Sequence, residues 1–297
     1  MSARSCSIGH DPENHERLAT GRGKVDPTTE GGVMSDVTVT SADGTKLAAR
    51  CSGEGTPLVF VHGAFGSVDT FFLVEPLLAQ HHEVWVYSRR GYPGSDRAED
   101  LSPARNVEDM WAVVEAAGGH VHVCGWSAGA MVALLASQGA SSLRSVILYE
   151  PPLNVNAEMV QDMLDALEPV LEADGTEAVL EAFLPAIGEP EDAVRALRAN
   201  TPVWEGLNAG VRATLGELRT WLDLPEDAPP PQPPDVPTLY LYGAETSNQF
   251  FPTPDVVASV LPDAKLRALA GQRHLAPVLD SAGFAKAVLE FTSALDV

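Results

Sequence analysis

The sequence lacks any run of about 18 apolar residues, so nothing in it reads as a membrane-spanning helix. Basic residues are scarce: 19 Lys and Arg stand against 41 Asp and Glu, a formal net charge of −22 over 297 residues. Nucleic acid is thereby disfavoured as a partner, because its phosphates need Lys and Arg as counterions. An anionic membrane surface is disfavoured by the same sign of charge. Cysteine is rare. Cys6, Cys51 and Cys124 cannot all pair within one chain, and they show no Cys-x-x-Cys spacing, which argues against a zinc site. Residues 1–33 lack the apolar stretch of a secretion signal, so the cysteines are expected to be reduced and the chain cytoplasmic. No Gly-x-Gly-x-x-Gly or Gly-Lys-Ser/Thr run follows an apolar stretch, so neither a dinucleotide nor a phosphate loop is expected.

What is present suits a folded globular chain, with 45% hydrophobic and 20% charged residues. Residues 1–33 are polar and aperiodic and read as a flexible tail. From Asp36, Val37 and Val39 alternate with Thr38 and Thr40, and Asp43-Gly44 marks a hairpin turn before a returning strand over 46–51. Short apolar runs at 57–62, 83–88, 121–124, 145–149, 238–242 and 264–269 read as strands covered on both faces. The segments 68–80, 103–117, 128–138, 254–260 and 281–295 suit helices between them. Such alternation predicts an α/β protein built on a mostly parallel, doubly wound sheet.

Residues 151–234 break the rhythm with no convincing strand. Met159, Met163, Leu164, Leu167, Val170 and Leu171 recur at helical spacing, Thr201-Pro202 looks like a cap followed by proline, and a second stripe runs from Val203 to Leu222. The segment ends in a proline-rich linker over 229–234 and carries 16 acids against 4 bases. It reads as a helical insertion after the sixth strand, dividing a core of residues 34–150 and 235–297.

Chemistry is concentrated in Gly125-Trp126-Ser127-Ala128-Gly129, between a strand and a helix. A serine on such a tight turn holds its oxygen above the sheet edge, flanked by glycines because backbone and helix come close. The helix start supplies backbone N–H groups for developing negative charge. Serine needs a base, and His274, in the loop after the last strand, is the best candidate. His62 is expected to brace its loop, and His81, His82, His120 and His122 fall at the opposite sheet edge. For the orienting carboxylate, Glu150 directly after the strand 145–149 and Glu245 after the next strand are both sensible. The Gly-rich loop His62-Gly63-Ala64-Phe65-Gly66-Ser67 lets backbone approach a substrate oxygen, which assigns the N–H groups of Ala64 and Ala128 as an oxyanion hole. Phe65 and Trp126 are candidate substrate-contacting side chains.

Together these segments resemble the α/β-hydrolase superfamily over about residues 36–297. His62-Gly63 looks like its oxyanion loop, Ser88-Arg89-Arg90-Gly91-Tyr92-Pro93-Gly94-Ser95 is similar to the turn after its fourth strand, Gly125 to Gly129 matches its nucleophile elbow, and Gly271 to His274 looks like its histidine loop. The resemblance makes the insertion 151–234 a cap over the pocket. Many members carry Asp where this chain has Thr246; the family's other arrangement, as in haloalkane dehalogenases, puts the acid after strand six, where Glu150 stands. Ser127 rather than Asp at the elbow argues against dehalogenase or epoxide hydrolase chemistry. The resemblance thus implies a cofactor-free, metal-free serine hydrolase of a small or medium ester, thioester or lactone, acting on a small-molecule substrate through Ser127, His274 and Glu150. The alternatives are a non-hydrolytic enzyme of this fold, a cyclase, lyase or acyl transferase motivated by Thr246, and a non-catalytic ligand-binding protein.

Overall fold

Eight strands form one sheet in the order β1-β2-β4-β3-β5-β6-β7-β8. The computed structural model describes residues 34–224 and 231–296. The expected tail over 1–33 lies outside the described residues, as do Pro229 and Pro230 of the expected linker. The strands are β1 (Ser35–Thr40), β2 (Lys46–Ser52), β3 (Thr56–Val61), β4 (His82–Tyr87), β5 (His122–Trp126), β6 (Ser145–Tyr149), β7 (Thr238–Gly243) and β8 (Lys265–Leu269). β1 and β2 form the antiparallel hairpin, whose Gly44 has φ +91° and whose Asp43 carboxylate accepts from the Thr45 N–H. β2 also meets β4 antiparallel, and every pairing from β4 onward is parallel.

The helices are α1 (Glu75–Leu78), α2 (Pro103–Ala116), α3 (Ala128–Ala136), α4 (Ala157–Asp174), α5 (Thr176–Ala186), α6 (Glu191–Ala199), α7 (Thr201–Leu222), α8 (Pro254–Val260), α9 (Ala276–Leu279) and α10 (Ser281–Ser293). Alternate residues of each central strand feed two apolar layers. Leu58, Phe60 and Ile147 pack with Phe284 and Val288 of α10, while Val59, Val61 and Leu148 pack with Met110 of α2 and Met131 of α3. Coverage on both faces is why these strands read as continuous apolar runs. No described helix is long and apolar enough to cross a membrane.

Three expectations change. The helix expected over 68–80 shrinks to α1. Residues 67–74 fold instead as successive turns, with Thr70, Phe72 and Val74 each donating to the carbonyl three residues back. Ser67 and Thr70 compete for that backbone: the Ser67 N–H donates to Thr70 Oγ1 and the Asp69 N–H to Ser67 Oγ. Among the cysteines, Cys124 is free and buried, but Cys51 is disulfide-bonded, so the expectation of three reduced thiols fails there. Among the described residues between β6 and β7 there are four helices, α4 to α7, and no strand. Cap geometry places Asn200, not Thr201, at the start of α7.

At the N-terminal ends of the strands His82 and His122 are buried, their rings 5.8 Å apart. His122 Nδ1 meets Ser145 Oγ at 2.7 Å and Nε2 meets Asp296 Oδ1 at 3.2 Å. Burial pushes His122 down to about 4 although Asp296 opposes the shift. The unfolded chain takes up this proton near pH 6.5, so the folded state's advantage is whole above that pH and lost as pH falls toward 4. Thermal unfolding between pH 7 and pH 4 is expected to show a steeper loss of Tm in the wild type than in His122→Asn.

Candidate active site

The parallel register brings the carboxyl ends of β3, β5, β6 and β7 to one rim, the place where open α/β sheets hold ligands. Ser127 leaves β5 with φ +55° and ψ −122°, then α3 begins at the next residue. This unusual backbone is tied down by the Ser127 N–H donating to Tyr149 O at 2.9 Å. A Cβ on Gly129 would stand 2.2 Å from Val61 O, which is why the elbow demands glycine there. Glu150 leaves β6 with φ +45° and is also strapped to the sheet, its N–H donating to Leu241 O at 3.2 Å.

The Glu150 side chain is buried and both oxygens are used. Oε1 accepts from the Gly243 N–H at 2.8 Å, and Oε2 lies 2.7 Å from His274 Nδ1. Glu245, the other carboxylate considered, is more than half exposed and faces Arg273, 3.5 Å away, rather than the imidazole. His274 Nε2 has no hydrogen-bond partner among the described residues. Phe251 stacks on the ring at 4.2 Å between centroids. Ser127 and His274 border the same small cavity of about 30 Å³. The described hydrogen bonds include none between the two side chains, a contact that in substrate-free enzymes often forms only on binding.

The histidine loop is held at three consecutive residues. Tyr149 donates its hydroxyl to Arg273 O at 2.6 Å, Trp126 donates its indole N–H to His274 O at 3.0 Å, and the Leu275 N–H donates to Glu189 Oε1 at 3.1 Å. The polar end of Trp126 therefore braces the loop, while its ring borders the small cavity.

Opposite Ser127, the loop after β3 carries Ala64 and Phe65. The N–H groups of Ala64 and Ala128 have no partner among the described residues; the Phe65 N–H is already given to Thr214 Oγ1 at 2.7 Å. Phe65 itself is buried, has φ +63° and packs edge-on against Phe183. His62 braces the loop: Nδ1 lies 2.8 Å from Gly63 O and Nε2 accepts from the Arg89 N–H at 3.0 Å. Burial, reinforced by Arg89, holds His62 well below its ordinary range and so neutral.

Sequence reasoning missed the polar hub behind this loop. Arg89 is fully buried and donates to His62 O, Gly63 O, Asn106 and the Tyr92 hydroxyl, and it pairs with Glu217 of α7. Tyr92 donates to Glu217 at 2.5 Å and also meets Thr214. Burial opposes the Arg89 charge, but Glu217 together with Tyr92 and Tyr87 outweighs it and keeps the guanidinium protonated. The signal was present as charged residues in apolar surroundings, yet nothing in the spacing joins positions 89 and 217.

A second cavity, of about 90 Å³, also adjoins Ala64 and Ser127 and reaches Ala128. Its walls come from Val160 and Met163 of α4, Leu218 and Trp221 of α7, and Phe250 and Phe251 after β7. Its single carboxylate, Glu217, is neutralised by Arg89. Among the described residues no group of three or more His, Cys, Asp or Glu is placed to hold a metal ion.

The sequence model of the alpha/beta hydrolase family matches residues 58–287. An alpha/beta hydrolase from Sphaerobacter thermophilus DSM 20745 is similar at 29% identity and TM-score 0.69, covering 86% of this chain and all of that one. A thermophilic esterase from Thermogutta terrifontis shares 20% identity at TM-score 0.73, with 89% and 100% covered. The enol-lactonase from Burkholderia xenovorans LB400 shares 17% at TM-score 0.71, with 86% and 100% covered. At their lower identities the last two speak for the shared fold.

Proposed function

From the premise that the chain belongs to the alpha/beta hydrolase family, we propose that it is a serine hydrolase cleaving a small or medium, uncharged ester, thioester or lactone. The observation that carries this reading is the 2.7 Å link from Glu150 to His274 Nδ1, which leaves Nε2 as the ring nitrogen open toward the cavity that Ser127 shares. Nε2 takes the Ser127 proton as Oγ attacks the carbonyl carbon. The N–H groups of Ala64 and Ala128 hold the resulting oxyanion. The imidazolium returns its proton to the departing alcohol, thiol or alkoxide, and an acyl-enzyme remains. Water then gives a proton to Nε2 and attacks the acyl carbon; collapse frees the acid and restores Ser127. Glu150 fixes the tautomer and stabilises the imidazolium without itself taking the proton.

The apolar walls of both cavities favour uncharged substrate arms, since a carboxylate there would lose its hydration without gaining a partner. The helical insertion acts as a cap, because α5 and α7 line both cavities and α4 lines the larger of the two. The non-hydrolytic alternative loses its motive: the carboxylate absent at Thr246 reaches the imidazole from Glu150.

The test is covalent labelling by a fluorophosphonate, followed by mass spectrometry of the modified peptide. Stoichiometric labelling at Ser127, absent from Ser127→Ala, is expected. Folded wild-type protein that resists the probe, or is labelled elsewhere, would overturn the reading.

A further inference from the structure

Glu189 sits in the short connection between α5 and α6, a segment that nothing in the sequence marks as chemical. It is nonetheless one of the most deeply buried carboxylates, with 4% of the residue exposed. Oε1 accepts from the Leu275 N–H, while Oε2 is buried with no partner among the described residues. A lone buried carboxylate oxygen is costly, so its retention needs a reason.

The surroundings supply one. The backbone groups of residues 273, 274 and 275 are each gripped from outside the loop. Two grips come from the sheet, through Tyr149 and Trp126; the third comes from the helical insertion, through Glu189. The insertion is itself moored nearby, since Asn248 donates to Ala186 O at 2.9 Å. The charged and titratable groups facing Glu189 are His274 and Arg273 from the histidine loop, Glu150 after β6, and Tyr149 of β6. His274 thus lies between two buried carboxylates, one bonded to its ring and one bonded to the next amide.

We propose that Glu189 is a positioning residue for His274: it seats the imidazole from the helical insertion and adds a second negative charge beside it. Docking of the α5–α6 connection and assembly of the catalytic base are then one event. Burial raises the Glu189 carboxyl above its ordinary range, and the nearby His274 opposes that rise.

The proposal rests on the serine hydrolase reading, and its test separates the two. The rate of fluorophosphonate labelling of Ser127 is measured from pH 5 to pH 9 on the full chain. Glu189→Gln keeps the size and an acceptor oxygen for Leu275 but removes the charge. Its labelling rate above pH 8 should stay within about twofold of wild type, while the acid limb of the profile moves to lower pH, because the imidazolium has lost a stabilising neighbour. Glu189→Ala removes both grip and charge, and its rate should fall by roughly 10- to 100-fold at every pH, the range for disturbed positioning of a reacting group. An unlabelled wild type defeats the hydrolase reading. A labelled wild type, with both folded variants matching it in plateau rate and acid limb, overturns the Glu189 role alone. If Glu189→Ala does not fold, the acid limb of Glu189→Gln decides.

Discussion

Glu150→Gln should lower kcat by about four orders of magnitude while leaving KM and the fold nearly unchanged, as expected when the orienting acid of a triad becomes an amide. The reason is specific to this site. One oxygen must accept from the Gly243 N–H, so the amide oxygen of the substituted side chain is held there and its NH2 is turned toward His274. An NH2 can only donate, which forces Nδ1 to be the bare nitrogen and puts the ring proton on Nε2. That tautomer cannot take a proton from Ser127. Glu245→Gln, at an exposed side chain facing Arg273, should change kcat by less than about twofold. Steady-state hydrolysis of a nitrophenyl ester measures both. If Glu245→Gln is the crippled variant and Glu150→Gln the active one, the orienting role moves to Glu245.

Glu217→Leu should have the largest effect on stability, on the order of 3–5 kcal/mol, because it leaves a buried guanidinium without its counter-charge. Arg89 has no solvent to fall back on. The neutral partners that remain, Asn106, Tyr92 and the carbonyls of His62 and Gly63, satisfy its N–H groups but not its charge. Denaturant unfolding should show the loss directly, and Tm should fall on the order of 10 °C. Adding Arg89→Met should recover much of it, since an apolar pair in place of a buried ion pair is commonly neutral or better. A double variant as unstable as the sum of its singles would mean that the two side chains do not act as a pair.

Most of the sheet was legible because each central strand is apolar on both faces and bounded by turn residues. Ser145–Tyr149 falls where the residues place it, and the other central strands shift by one or two residues at their ends. The elbow was legible for a different reason: glycines fixed by a close approach, as at Gly129, leave a local signature. Two classes of feature were not legible. One is competition within the backbone, as in residues 67–74, where Ser67 and Thr70 draw hydrogen bonds that a helix would need. The other is long-range polar pairing. Arg89 with Glu217, and Glu189 with Leu275, join positions 128 and 86 residues apart, and no periodicity announces them. The choice between Glu150 and Glu245 belongs to that class too, since side-chain direction at the end of a strand is set by tertiary context.

The anchoring of α7 has a mechanical consequence. Its Gly210 lies so close to Phe65 that an added Cβ would stand 2.1 Å from the Phe65 carbonyl oxygen, and one turn on its Thr214 holds the Phe65 amide. Swinging this helix outward would bare the guanidinium of Arg89 and tear at the oxyanion loop together. It is therefore the fixed wall of the site, whereas among the described residues no buried ion pair ties α4 or α5 to the rest of the protein.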